Sequence, residues 1–281
     1  TLLIVSVCFQ PVAVNAENLT FFVIGDTGDC DLEGAALVGK ALRAQPEASQ
    51  STLIETGDLA YQVATREKLL ACHEPYFNFF ARRLAVPGNH DWHDAGGVGF
   101  FSIFPEAVPR KEKLVGNWQL LLLNSNLRDD AWQNQLAWLD KTLAASSGEC
   151  LIAAWHHPRW SSGKHGDNRF TQGLWERLQG QATFTLHGHD HHFEALPAFD
   201  ALGEVSATGI PSFVVGHGGA SLYTSGTGPA RSNRAYYGEW GFMRLELNGQ
   251  NYRWQAFNTD GKVLDHGEGQ CQPAGKPHAP R

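Results

Sequence analysis

The apolar positions fall into two alternating rhythms. Residues 19–24 (LTFFVI), 51–55, 118–123, 150–154 and 182–186 are short runs of aliphatic, β-branched and aromatic side chains. Runs of that length, closed by Gly, Asp, Asn or His, are what buried strands need. Between them, residues 32–44 and 170–178 place apolar side chains three and four apart, and 65–84 reads as mostly helix. A further helix is predicted from Asp130, read as an N-cap with Gln133 in the capping-box position. Trp132, Leu136, Leu139 and Leu143 then follow at helical spacing. After residue 192 the pattern turns to β, with strands expected at 212–215, 242–247 and 252–257. Alternating strands and helices followed by a β-rich stretch predict an α/β domain.

Composition narrows this picture. A chain of 281 residues suits one large domain or two small ones. With 42% hydrophobic and 18% charged residues it can bury a sizeable core. A net charge of −7 argues against a nucleic-acid partner, because phosphate-backbone affinity needs a basic face. It leaves open a small phosphate substrate whose charge a metal neutralises. Residues 2–9 form an apolar run too short to span a bilayer, and Val14-Asn15-Ala16 resembles a cleavage site. Residues 1–16 are therefore read as a signal peptide. That implies a periplasmic or secreted protein with no stable membrane insertion once the signal is removed. Four cysteines then remain (Cys30, Cys72, Cys150 and Cys271), which allow two disulfides in three connectivities. Residues 267–281 are Gly/Pro-rich, so the folded domain is expected at 19–265 and a loose tail at 266–281.

The candidate chemistry follows the strands. GDTGD comes after 19–24, GDLAY after 51–55, PGNHD after a short LAV run, WHHPRW after 150–154 and HGHDHH after 182–186. In open α/β sheets, ligand sites gather at the carboxyl ends of strands. Nine of the 13 histidines lie in the windows 90–93, 156–165 and 187–192, which scatter alone does not produce. Asp, Asn and His offer hard oxygen and borderline nitrogen donors suited to zinc, manganese or iron. Two such ions about 3.5–4 Å apart can clamp the attacking and leaving oxygens of an in-line displacement at phosphorus. They also acidify water, giving hydroxide near neutral pH. A donor set this rich in Asp and Asn, and larger than four, disfavours a structural zinc site.

Taken in order, these motifs resemble those of the calcineurin-like metallophosphoesterases, and most of all the purple acid phosphatases and related secreted bacterial phosphatases. That pattern runs GDxG, GDxxY, GNH(D/E), xxxH and GHxH. Here it reads Gly25-Asp26-Thr27-Gly28, Gly57-Asp58-Leu59-Ala60-Tyr61, Gly88-Asn89-His90-Asp91, Ala153-Ala154-Trp155-His156 and Gly188-His189-Asp190-His191. The resemblance implies a two-sheet β-sandwich flanked by helices. It implies a first metal held by Asp26, Asp58, Tyr61 and His191. A second would be bridged through Asp58 and held also by Asn89, His156 and His189. The superfamily often has His where Gly28 stands; Gly28 with Tyr61 is the purple acid phosphatase variant. A phenolate ligand implies iron at the Tyr61 site and a coloured protein, with iron, zinc or manganese at the second. By the same analogy His90 contacts the phosphoryl group or protonates the leaving oxygen, and Asp91 orients its ring. His165, in SSGKHGD, is a second substrate contact. His157, Arg159 and Lys164 could help bind phosphate. His187 and His192 have supporting or local roles, and GHGGAS (216–221) is a turn near the site. Plant-type members carry an extra N-terminal β-domain, whereas here the first motif follows the signal segment directly. Cys30 and Cys72 could pair beside the site, leaving Cys150 and Cys271.

The function implied is an exported two-metal phosphatase acting on small phosphate monoesters by in-line attack of metal-bound hydroxide. A phosphodiesterase or nucleotidase on the same scaffold is the first alternative. A non-catalytic metal- or phosphate-binding protein is the second.

Overall fold

The computed structural model describes residues 19–106, 108–227 and 229–274. The signal-peptide expectation for 1–16 lies outside them. The elements run β1 (Leu19–Ile24), α1 (Gly34–Arg43), β2 (Thr52–Glu55), α2 (Arg66–Cys72), α3 (Glu74–Phe77), β3 (Arg82–Ala85), α4 (Asn89–Trp92) and α5 (Val98–Phe101). They continue with β4 (Arg110–Lys113), β5 (Trp118–Leu122), α6 (Asp129–Ala145), β6 (Cys150–Ala154), α7 (Gln172–Leu178) and β7 (Ala182–His187). The last are β8 (Phe193–Phe199), β9 (Ile210–Val215), β10 (Ala235–Tyr236), β11 (Gly241–Asn248), β12 (Asn251–Asn258) and β13 (Val263–Gln270).

The strands form two mixed sheets, ordered β13-β12-β11-β1-β2-β3 and β10-β8-β9-β7-β6-β5-β4. β1, β2 and β3 pair in parallel, as do β5, β6, β7 and β9. Period-two alternation explains the layers. On β1, Phe21 and Val23 join Ile54, Leu84, Leu120, Ile152, Phe184 and Leu186 in the core between the sheets. Phe22 and Ile24 point the other way and pack with Val38 and Leu42 of α1. On the far side, Leu121, Leu151 and Ala153 meet Leu136 and Leu139 of α6 and Trp175 of α7. Both faces of β1 and β6 are covered, so their sequences are almost continuously apolar rather than alternating. The result is the expected two-sheet sandwich flanked by helices.

Several elements differ from the sequence reading. The expected helix over 65–84 splits. Thr65 caps α2 through its Oγ1. The helix then breaks at His73, and α3 restarts with Pro75 in its first turn, where a missing N–H costs nothing. Arg82–Ala85 is a strand, because parallel pairing with β2 outweighs local helix propensity. The helix expected from Asp130 starts at Asp129, with Arg128 at the N-cap and no side-chain cap, so the capping box is absent. Strands β4 and β13 lie at sheet edges, and β4 reads RKEK; polar edges resist stray pairing and hide from a hydrophobic-pattern reading. β13 also carries the sheet past residue 265, into the stretch expected as a loose tail, and Ala274 beyond it is buried. The disulfides are Cys30–Cys72 and Cys150–Cys271. The second joins β6 of one sheet to the end of β13 of the other. Among the described residues no helix is long and apolar enough to cross a membrane.

Candidate metal centre

The carboxyl ends of β1, β2, β3, β6 and β7 meet at one end of the sandwich, and each delivers one sequence motif. Asp26 and Asp58 follow β1 and β2 in left-handed backbone, with φ of 57° and 54°; His189 after β7 has φ of 73°. Non-glycine residues at such angles cost about 1–2 kcal/mol each, so the surrounding hydrogen bonds must hold them there. The first two turns are laced together. The amides of Asp26, Thr27 and Gly28 donate to the carbonyls of Gly57, Asp58 and Leu59 at 2.9, 3.0 and 3.1 Å. Gly88 lets the third turn press against the second, since a Cβ there would collide with the Asp58 carboxylate.

The side chains converge. The Tyr61 hydroxyl donates to Asp26 Oδ1 at 2.9 Å and lies 3.4 Å from Asp58 Oδ2 and 3.1 Å from His191 Nε2. His156 Nε2 is 3.2 Å from Asp58 Oδ2. Asp26 Oδ2 accepts the His189 amide, and Asp58 Oδ1 accepts the His90 amide, both at 2.8 Å. The Nδ1 of His156 meets the Thr56 carbonyl at 2.9 Å, and that of His191 meets the Ser221 carbonyl at 2.6 Å. A carbonyl only accepts, so each Nδ1 carries a proton and each Nε2 is turned toward the centre. Asn89 Oδ1 is buried with no hydrogen-bond partner among the described residues. One potential ligand atom each from Asp26, Asp58 and His156 lies within 4.8 Å of the others, and the same holds for His156, His157 and His189.

The electrostatics suit cations. Burial, and then the neighbouring Asp58, push the Asp26 carboxyl well above its ordinary range, against the pull of His156. Burial and the two carboxylates likewise push the Tyr61 phenol well up. Burial and adjacent imidazoles hold His189 and His157 well below theirs, which keeps both neutral. Burial opposes charge on Asp58 too, but His156 and the His90 amide outweigh it and lower its pKa; His156, buried yet facing Asp58, rises to about 9. Two buried carboxylates, a phenol, an orphaned amide oxygen and neutral imidazoles fit a pair of hard or borderline ions.

The remaining candidates have clear places. His90 Nδ1 meets the Gln62 carbonyl at 2.5 Å, and its ring lies 4.4 Å from that of Tyr61. The expectation that Asp91 orients this ring does not match the geometry. The Asp91 carboxylate instead accepts the amides of Asp58, Leu59 and Gly88 at 2.8, 3.0 and 2.8 Å, so it braces two ligand turns. His165 stacks on His189 with centroids 4.1 Å apart, and its amide donates to Asp190 Oδ1. His157 Nδ1 lies 2.7 Å from Ser125 Oγ. Lys164 lies 4.5 Å over the ring of Tyr223, which stacks on His191. Arg159 packs on Trp160 instead and lines a separate cleft. His187 bonds the Trp155 carbonyl and Thr185, and His192 lies beside Glu194, so both are local. The 216–221 turn does abut the site: the Gly218 and Ala220 amides donate to the Gly25 and Asp26 carbonyls. The sequence reading missed Thr56, Gln62 and Ser221. They act through backbone carbonyls, which no side-chain pattern reveals. It also missed Tyr223, whose signal was an aromatic in a Gly/Ser-rich loop.

Residues 19–193 match the family model for calcineurin-like phosphoesterases. A stretch of 75 residues is 36% identical to tartrate-resistant acid phosphatase type 5 of Rattus norvegicus, covering 26% of this chain and 23% of that protein; the Sus scrofa protein matches at the same identity. The match thus spans about a quarter of those relatives. The fold is shared with GAP50, the anchor in the inner membrane complex of Plasmodium, at TM-score 0.72, 16% identity and 92% and 90% coverage of the two chains. It is shared also with purple acid phosphatase PPD1 from yellow lupin (Lupinus luteus) seeds, at TM-score 0.66 and 16% identity, covering 90% of this chain and 54% of the lupin chain. The order of the motifs, their convergence at the strand ends and the match over most of the chain agree: this protein belongs to the calcineurin-like phosphoesterase family.

Proposed function

We propose that this chain is a two-metal phosphatase that hydrolyses small phosphate monoesters outside the cytoplasm. The observation that carries the reading is the meeting of Asp26, Asp58, Tyr61, His156 and His191 in one cluster with His189 beside His156, while Asn89 Oδ1 is buried and unpaired among the described residues. Asp26, Asp58, Tyr61 and His191 would hold one ion, iron by the chemistry of the phenol donor. Asp58, Asn89, His156 and His189 would hold the other, as iron, zinc or manganese. Bound ions would supply positive charge for the phosphoryl oxygens and acidify the attacking water.

The protein's own groups do the rest. The carbonyls of Thr56 and Ser221 fix the His156 and His191 rings. Gln62 O fixes His90 with Nδ1–H engaged. In its protonated form His90 therefore has Nε2–H to give to the leaving oxygen. His165 and Lys164, both exposed beside His189 and Tyr223, would meet the non-bridging oxygens of the substrate. The two disulfides favour an oxidising compartment, which supports a periplasmic or secreted setting.

The test is hydrolysis of a chromogenic phosphate monoester beside the matching diester, with wild type and Asp58→Ala, with and without chelator. Monoester turnover abolished by both chelator and mutation is the expected result. Diester preference would move the assignment to a phosphodiesterase or nucleotidase. No turnover of either ester by a metal-loaded protein would leave a binding protein as the better reading.

A further inference from the structure

We propose a second oxyanion site, for an ion of the phosphate class, in a cleft of about 410 Å³ behind the loop that carries His156 to His165. Arg159, Trp160, Arg169 and Arg231 line it, with Asp167 and the Leu202 turn closing the rim, and none of the seven candidate ligands takes part. Three arginines and one carboxylate, Asp167, line it, with Glu176 behind Gln172 as a second carboxylate near Arg159, on a chain whose overall charge is −7.

Two residues that line this cleft each hold a buried donor with no acceptor among the described residues. Arg159 is only 7% exposed, and its Nη1 is buried with no hydrogen-bond partner among the described residues. The Trp160 indole Nε1 is in the same condition. A buried donor left unpaired costs about 1–3 kcal/mol, more when charged, so two in one cleft call for an acceptor. Their neighbours are already committed. Arg159 Nε donates to Gln172 Oε1, and Arg231 pairs with Asp167. Arg159 stacks 3.6 Å from the Trp160 ring centre, and Arg231 lies 5.0 Å from it, so the aromatic plane holds both guanidiniums in place. Arg169 is exposed beside them and adds charge, and its guanidinium has no hydrogen-bond or ion-pair partner among the described residues. A tetrahedral oxyanion supplies what is missing: several acceptor oxygens for planar forked donors, and negative charge.

The cleft shares a wall with the proposed catalytic loop. The Asn168 amide donates to the Arg159 carbonyl at 3.2 Å, and Asn168 Nδ2 to the Pro158 carbonyl at 2.9 Å. Phe170, next to Arg169, packs 5.1 Å from the His157 ring. An ion in the cleft would stiffen the segment that presents His157 and His165.

Titration calorimetry with inorganic phosphate tests this on the full chain, using wild type, and using Asp58→Ala in chelator to silence the metal centre. The expected result is that Asp58→Ala still binds one phosphate. Adding Arg159→Gln should weaken that binding at least ~10-fold, and adding Arg169→Gln about fivefold. Should Arg159→Gln fail to fold, the exposed Arg169→Gln decides. Absence of phosphate binding by folded Asp58→Ala, or an affinity unmoved by Arg169→Gln and by any folded Arg159→Gln, would overturn the site. Hydrolysis by wild type is read separately, so the cleft and the metal centre stand or fall independently.

Discussion

The Asp91 carboxylate accepts three amides, from Asp58, Leu59 and Gly88, and every one belongs to a turn that carries a candidate ligand. Its removal strands three buried donors at about 1–3 kcal/mol each before relaxation. Asp91→Ala is therefore expected to lower stability by about 3 kcal/mol or more, read as a fall in the denaturation midpoint, with Asp91→Asn recovering part of it. His90 stands differently, because its ring does no comparable bracing. His90→Ala should lower kcat for the monoester by about 10²–10⁴ while metal content and melting temperature hold. A melting temperature that falls with kcat would recast His90 as structural. Tyr61 offers a spectroscopic test: if its phenolate binds ferric iron, the protein is coloured and Tyr61→Phe bleaches the visible band without emptying the site. At this scale the candidate ligands stood out, because Asp, Asn, His and Tyr beside glycine at strand ends are chemically specific. Asp91's role was not, since a bond to a backbone amide leaves no mark in the sequence.

Among the elements, β2 and β3 are joined by a buried polar network behind the centre. Glu55 meets Arg83 through both oxygens at 2.6 and 3.0 Å and His73 at 2.8 Å, and His73 reaches Thr27 beside Asp26 at 2.8 Å. Burial resists the charge on Glu55, but Arg83 and His73 prevail and hold its pKa near 2, against an ordinary 4.5. A depressed carboxylate stabilises the fold above the unfolded pKa and loses that contribution as pH falls through the folded one. The shift corresponds to something on the order of 3 kcal/mol, lost between about pH 5 and 2. Glu55→Gln should flatten the acid limb of a stability-versus-pH curve; an unchanged slope would place the acid sensitivity elsewhere. The Cys150–Cys271 bridge closes a separation of 121 residues between the two sheets, and the double Ser variant should lose several kcal/mol on chain-entropy grounds. Strands β1, β6 and β7 could be read from sequence because both faces are buried. β3 could not, because RRLA is short and takes its identity from pairing with β2. β13 could not, because VLDHGEGQ is an edge with glycines packed against Tyr252 and Trp254.

Across the whole molecule, two sheets bring five strand ends to one end of the sandwich, and that is why residues as far apart as Asp26 and His191 come to share a hydrogen-bonded centre. The order of the motifs was enough to foresee this, and with it the fold. The cleft around Arg159 was not foreseeable, because Trp160, Arg169 and Arg231 meet only through tertiary packing. The central claim is that seven donors hold two ions, and elemental analysis of the purified full chain tests it most directly. The account predicts about two transition-metal ions per chain, iron among them, falling to one or fewer in folded Asp58→Ala, since it assigns Asp58 to both sites. A folded wild-type chain that binds no transition metal on incubation with iron, zinc or manganese, or an Asp58→Ala variant that still holds two, would contradict it.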